Sequence, residues 1–258
     1  MAYAGDVFNR NEPRPFNFAD ELETDASIGG YPIWQGEKKW RLFEISRSDS
    51  GGTAQSVPLG RVRVFQTENK NFVAAMTVAG NLAQASASDW NDEPCKRDDM
   101  LFKSSLGGKF RDINCVTINH VTNYASNPGG QAAKLFALFK EQGVDTPSTV
   151  LQIVFTRHST NLRRLEVVLN INPELMGFPR EPETTWGRSA WHQSQSFGNA
   201  EKKRFIDALS AWSLLFAKQM DVAFSKDLQA FTSIPSWRAV LDAQPKAAVV
   251  VKAKAVLD

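Results

Sequence analysis

Cys95 and Cys115 are the two cysteines of the chain, and their chemistry depends on the compartment. In an oxidising compartment they would form one disulfide, which closes a loop of about 20 residues and stabilises the fold by roughly 3 kcal/mol on the loop-entropy model. In a reducing compartment Cys115 would pack inside a strand, and Cys95 would be an exposed thiol activated by Lys96 and Arg97. We predict the disulfide. Inert thiols and a catalytic or metal-ligating role are the alternatives that the sequence leaves open.

Metal ligands and catalytic carboxylates do not occur at a recognisable spacing. The chain has no CxxC and no HxxxH sequence, so it supplies too few ligands for structural zinc. Cys115 and His120 are five positions apart on a predicted strand, so their side chains point to opposite faces of the sheet. Glu181 and Glu183 lie in a long irregular segment and are expected to be solvated. We therefore predict neither a metal nor a cofactor.

The three histidines, His120, His158 and His192, are the candidate general bases, because histidine titrates near neutral pH. None lies in a catalytic motif, since the chain has no GxSxG, HExxH, GxGxxG or P-loop sequence. A structural role is expected for His120 at a strand end, and an exposed position is expected for His158 in a hairpin turn. These observations favour a protein without catalysis. The alternative is a hydrolase that uses His120 or His192 as its base.

The segment from Trp186 to Ser196, WGRSAWHQSQS, holds the best candidates for ligand binding. It combines two tryptophans, an arginine and a histidine with several hydroxyl and amide groups, in a stretch without helical or strand period. Aromatic rings beside polar groups suit a sugar, an aromatic ligand or a peptide. We predict that Trp186, Arg188, Trp191 and His192 bind a ligand. The alternative is that this segment is a cover whose tryptophans close the open end of a sheet.

Six segments alternate apolar and polar side chains in the manner of strands. They are residues 40–46, 61–66, 72–78, 112–121, 149–157 and 163–171. Short polar turns join the second segment to the third and the fifth to the sixth, which predicts two β-hairpins.

Two segments have the apolar period of a helix. The first covers about residues 131–142 and stops at Gly143, a favourable residue after a helix end. The second runs from about 200 to 224 behind Asn199, a good N-cap. Hairpins with few helices predict an α+β fold, in which both helices pack on a mainly antiparallel sheet.

Composition divides the chain of 258 residues into three predicted regions. Residues 1–30 are polar, with a local excess of acidic side chains, and are expected to form an N-terminal arm on the surface. Residues 31–243 form a single α+β domain, a size that one core can support. Residues 244–258 have a simple composition and are expected to be a tail or a linker.

The charge and hydropathy of the chain exclude two classes of partner. Its 30 basic and 28 acidic residues give a net charge of +2, whereas a generic nucleic-acid binder carries a basic excess. No run of about 18 apolar residues occurs, so no membrane span is expected within the chain.

Two features point to an extracytoplasmic compartment, either periplasmic or secreted. One is the single cysteine pair, and the other is Ala2-Tyr3-Ala4, which matches the end of a bacterial signal peptide although its basic and apolar parts are missing. We predict a non-catalytic, bacterial-type binding domain whose partner is a protein, a glycan or a small ligand. Besides the hydrolase, an interaction subunit of a larger cell-envelope assembly is a further alternative.

Overall fold

The computed structural model of the chain describes residues 2–36, 39–50, 57–83, 93–107, 112–126, 132–159, 163–225 and 234–242. Six short strands come first: β1 Ala2–Tyr3, β2 Phe8–Asn9, β3 Glu12–Pro13, β4 Glu21–Leu22, β5 Ser27–Ile28 and β6 Tyr31–Pro32. The longer elements follow: β7 Arg41–Ser50, β8 Val57–Glu68, β9 Asn71–Asn81, α1 Glu93–Lys96, β10 Phe102–Ser105, β11 Ile113–Val121, α2 Ala132–Glu141, β12 Val150–His158, β13 Arg164–Ile171, α3 Gln193–Ser196, α4 Ala200–Phe224 and α5 Trp237–Asp242. Single 3-10 turns lie at Pro173–Met176 and Trp186–Arg188.

One large sheet contains most of the strands, in the order β1-β4-β7-β8-β9-β13-β12-β11-β10. Every neighbouring pair in it is antiparallel except β1 and β4. The strands β2 and β3, and likewise β5 and β6, form two small separate sheets. This sheet together with the long helix α4 confirms the predicted α+β fold.

Both predicted hairpins lie in the middle of the sheet, where β9 pairs with β13. The turn between β8 and β9 consists of Asn69 and Lys70, which have φ angles of 49° and 60°. Two successive positive φ angles give the turn whose twist matches that of the flanking strands. The turn is shorter than the sequence indicated, because Thr67, Glu68 and Asn71 continue the ladder.

The main hydrophobic core lies between one face of the sheet and α4. Trp212 and Phe216 of this helix are fully buried and stack with their ring centroids 5.1 Å apart. Alternation along the strands supplies the opposing apolar side chains, among them Val62, Val64, Met76, Val78, Ile153, Phe155, Val167 and Leu169. Burying one such side chain contributes about 1.5–3 kcal/mol, so this face dominates the stability. No helix in the described ranges is long and apolar enough to cross a membrane.

A smaller core covers part of the opposite face. Phe136 and Phe139 of α2 pack there with Phe65 and Phe72 of the first hairpin. The ring of Phe139 meets that of Phe65 edge-on, with the centroids 5.2 Å apart. The helix that was predicted at about 131–142 is thus held by its apolar stripe.

Apolar side chains from the predicted N-terminal arm also enter the main core. Val7, Leu22, Ala26 and Ile28 are buried, and β1 and β4 belong to the large sheet. Much of this polar segment therefore packs against the domain. The predicted tail, residues 244–258, lies outside the described residues.

His158 corrects one prediction, because it is buried with 2% of its surface exposed. The expected exposed turn position is wrong, since β12 extends one residue past the predicted strand 149–157. This places His158 in the sheet between Ile113 and Arg164. Burial, followed by the charges of Arg164 and Arg157, lowers the pKa of His158 to about 3.

Candidate functional site

The irregular segment after β13, residues 172–198, lies at the end of the sheet where β11 ends and β12 begins. Asn123, just beyond β11, fastens it through two hydrogen bonds to the backbone of Thr184. The amide of Asn123 donates to the Thr184 carbonyl at 3.0 Å and accepts from the Thr184 N–H at 3.1 Å. Asn123 has a φ of 54°, a conformation that asparagine tolerates better than most residues.

The carboxylate of Glu181, a residue of the same segment, also anchors this segment through hydrogen bonds. It accepts hydrogen bonds from the hydroxyls of Thr149 and Ser189, each at 2.8 Å, and from the N–H of Ala190. The backbone carbonyl of Glu181 accepts a further bond from the hydroxyl of Ser148. Hydrogen bonds to a carboxylate are stronger than those between neutral groups, so Glu181 fixes the loop to the start of β12. The expectation that Glu181 is only solvated is therefore wrong.

Trp191 lies in the hydrophobic core and not on the surface, with 2% of its area exposed. Its ring meets that of Phe178 edge-on at a centroid distance of 4.9 Å, and Phe205 packs beside it at 5.9 Å. Lys202 covers it, with Nζ 4.6 Å from the ring centroid and a hydrogen bond of 2.8 Å to the carbonyl of Ala190. Of the four predicted binding residues, Trp191 is placed as a core anchor of the loop.

Trp186 and His192, by contrast, lie together with His120 in one aromatic cluster. The rings of His120 and Trp186 are stacked, with centroids 5.1 Å apart and planes 13° apart. The ring of His192 stands nearly perpendicular to both, with its centroid 4.5 Å from that of Trp186 and 6.0 Å from that of His120. His120 therefore lies against one face of the indole, and His192 adds a second, perpendicular contact.

Trp186 is partly exposed, and its indole N–H forms no hydrogen bond within the described ranges. No further aromatic ring or cation of the described chain lies against the indole. Arg188 follows two positions later, at the end of the same 3-10 turn, and is exposed. The structure therefore keeps Trp186, Arg188 and His192 near the surface and separates them from Trp191.

His120 supports Trp186 from the end of β11. Its Nε2–H donates to the backbone carbonyl of Trp186 at 3.0 Å, because a carbonyl can only accept. Nδ1 consequently carries the lone pair, and it is buried without a hydrogen-bond partner among the described residues. Burial lowers the pKa of His120, and the Trp186 carbonyl opposes this by favouring the charged form. The ring is neutral at physiological pH as a result.

His192 caps the short helix α3 within the irregular segment. Its Nδ1 accepts from the hydroxyl of Ser194 at 2.8 Å and from the N–H of Ser194 at 3.3 Å. With Nδ1 as the acceptor, the proton of the neutral ring resides on Nε2. The two histidines of the cluster thus have opposite roles. His120 donates a hydrogen bond from β11 to the loop, whereas His192 accepts hydrogen bonds within the loop.

The disulfide brings a charged pair close to this cluster. Cys95 of α1 is bonded to Cys115 of β11 with their Cα atoms 5.8 Å apart, which confirms the predicted bond. Asp99, in the segment tied down by this bond, accepts two hydrogen bonds from Arg97, at 2.8 and 2.7 Å. These bonds lower the pKa of Asp99, and its charge also interacts with His192.

His120 and residues 186–192 were separate candidates in the sequence, and the structure brings Trp186 and His192 together with His120. No local pattern indicated the roles of Asn123, Glu181 and Asp99, because these roles depend on contacts between distant parts of the chain. Among the described residues, no group of three or more His, Cys, Asp or Glu side chains could hold a metal ion. No protein-family model, curated protein or solved structure matches the chain.

Proposed function

We propose that the chain is a non-catalytic binding domain and that Trp186 is the surface on which its ligand stacks. The observation that carries this proposal is the position of the indole. One face of the indole rests on the buried ring of His120, and part of Trp186 stays exposed. A flat aromatic face with a free N–H suits the ring of a sugar or of an aromatic compound.

The anchoring of the loop supports the same proposal. Asn123, Glu181 and His120 fix the backbone on either side of Trp186 before any ligand arrives. A site that is already ordered loses less conformational entropy on binding, so a small contact area can still give useful affinity. A segment that served only to cover the sheet could bury Trp186 as it buries Trp191.

The disulfide supports an extracytoplasmic location of the bacterial type, either periplasmic or secreted. Disulfides persist in oxidising compartments and are rare in the cytosol, where thiols are kept reduced. Cys115 is buried, and its bond to Cys95 ties α1 to β11, the neighbour of the edge strand β10.

The proposal is tested by screening the full chain against an array of oligosaccharides and a set of aromatic acids and amides. Trp186→Ala is compared with Phe197→Ala, which removes an exposed aromatic side chain of the same segment. We expect the wild type and Phe197→Ala to bind the same compounds, and Trp186→Ala to bind them roughly tenfold more weakly or worse. Binding that is equally strong in Trp186→Ala, or no binding by the wild type across the panel, would contradict the proposal.

A hydrolase is the second candidate function, and one hydrogen bond favours it. The hydroxyl of Ser194 donates to Nδ1 of His192 at 2.8 Å, the relationship of a nucleophile to its base. Nδ1 of His192 also caps α3 by accepting the backbone N–H of Ser194, and no carboxylate in the described part of the chain orients His192 from Nε2, so this candidate has less support. His120 has less still, because it is buried and bonded to a carbonyl. Labelling of Ser194 by a fluorophosphonate that is lost in His192→Gln would favour the hydrolase over the binding domain.

A further inference from the structure

Hydrogen-bond donors at and beside Trp186 lack a protein partner among the described residues. The indole N–H forms no hydrogen bond to any of them. The Nε2–H of His192 is also unaccepted there, because the bonds of this ring to Ser194 are made through Nδ1. The exposed guanidinium of Arg188 forms neither an ion pair nor a hydrogen bond within the described ranges. Three donor groups therefore remain for a ligand.

Several acceptors of the same region are already bound by donors of the chain. They are the carbonyls of Trp186 and Ala190 and the carboxylates of Glu181 and Asp99. Unpartnered acceptors also occur there: Nδ1 of His120 is buried, the carboxylate of Glu183 is exposed, and neither has a hydrogen-bond partner among the described residues. Asn123 fastens the backbone at Thr184. Glu183 precedes Thr184 in the chain, whereas Trp186, Arg188 and His192 follow it. The residues after Thr184 thus offer donors to a ligand.

We infer that the ligand stacked on Trp186 is a ring that bears a carboxylate, an inference that rests on the proposed binding function. A carboxylate has only acceptors and can take hydrogen bonds from several donors at once. The guanidinium of Arg188 can bind it through two parallel hydrogen bonds, and the indole and imidazole N–H groups can add single ones. Aromatic acids and uronic sugars share this chemistry.

Paired probes test the inference on the full chain. Indole-3-acetate is compared with its amide, and a glucuronate disaccharide with its methyl ester, so that each pair keeps the ring and loses the charge. Binding is measured by calorimetry for the wild type, Trp186→Ala, Arg188→Gln and Arg188→Lys. Glu183→Gln is the matched control, because it changes an exposed charge of the same segment on the other side of the Thr184 anchor.

We expect at least one carboxylate to bind about tenfold more tightly than its neutral counterpart, since a charged hydrogen-bonded pair is worth roughly that factor. Arg188→Gln should abolish this preference, Arg188→Lys should keep part of it, and Glu183→Gln should keep all of it. The pair that binds shows whether the ring of the ligand is aromatic or a sugar. Trp186-dependent binding without a preference for the charged member would overturn the inference and leave the proposed function standing. If no probe shows binding that depends on Trp186, both fail.

Discussion

His120 stacks on the indole of Trp186 and at the same time donates its Nε2–H to the backbone carbonyl of that residue at 3.0 Å. One side chain of the sheet therefore fixes both the ring and the backbone of the candidate binding residue. The His120 side chain is almost fully buried, so its position is set by the strand and not by solvent. The orientation of Trp186 thus depends on the fold of β11, and the loop around it is expected to behave as a rigid part of the domain.

The two tryptophans of the loop should differ in what they contribute to stability. Trp191→Ala should lower the free energy of unfolding by about 3–5 kcal/mol, because it leaves a cavity between Phe178 and Phe205. Trp186→Ala should cost about 1–2 kcal/mol, since part of its ring is already exposed. Unfolding in urea, followed by far-UV circular dichroism, measures both. Equal costs would contradict the assignment of one tryptophan to the core and the other to the surface.

Glu181→Gln should destabilise the protein by roughly 1–3 kcal/mol. An amide cannot accept from Thr149, Ser189 and Ala190 as the carboxylate does, so at least one donor loses its partner. Glu183→Gln is the control two positions away, and a change below about 0.5 kcal/mol is expected there because this side chain is exposed. Denaturant unfolding of both variants checks this. A similar effect of the two substitutions would show that Glu181 does not anchor the loop.

Stability should fall as the pH is lowered from 7 to 5, and His158 should be a main cause. Its pKa is about 3 in the folded protein, whereas the unfolded chain takes up the proton near the usual value of 6.5. The unfolded state therefore binds more protons in this interval, and on the order of 2 kcal/mol is lost by pH 5. The lowered pKa of His120, which faces His192, Glu181 and Asp99, acts in the same direction.

Chemical denaturation at pH 7 and pH 5 measures this loss for the wild type and for His158→Gln. The variant should show a clearly smaller difference between the two pH values, because it removes the titrating group. An NMR titration of the His158 ring gives the folded pKa directly. An apparent pKa near 6.5 in the folded state would be incompatible with the buried position of this histidine.

Removing the disulfide should lower stability by about 3 kcal/mol, since the bond constrains a loop with a sequence separation of 20. Cys95→Ser combined with Cys115→Ala avoids leaving an unpaired thiol, and Ala suits the buried position of Cys115. Thiol titration in denaturant, on protein isolated from its native compartment, should find no free thiol. Two free thiols would argue against the extracytoplasmic location.

Several elements could be predicted from the sequence because their signals are local and periodic. The hairpin β12–β13 and helix α4 each carry a clear apolar pattern, and the strong N-cap Asn199 marks where α4 begins. The cluster of His120 with Trp186 could not be predicted, because the two residues are 66 positions apart. In addition, Trp186 lies in a segment whose sequence has no periodic pattern.

The buried residues of the N-terminal segment escaped prediction for a related reason. Its strands are two residues long, too short to show alternation, and Leu22 stands alone between two glutamates. The burial of these residues depends on the edge of the large sheet, which forms only from distant parts of the chain. The division into arm, domain and tail, and the alternative role in a cell-envelope assembly, stay predictions.

The central claim, that the partly exposed indole of Trp186 receives the ligand, is tested most directly by NMR. The seven tryptophans give separate indole N–H signals in a ¹H–¹⁵N spectrum, and Trp186→Phe and Trp191→Phe assign the two of the loop. On addition of indole-3-acetate or the glucuronate disaccharide, we expect the Trp186 signal to shift with saturation while the Trp191 signal stays in place. A shift of Trp191 with Trp186 unmoved, or no saturable shift of Trp186 with either compound, would contradict this claim.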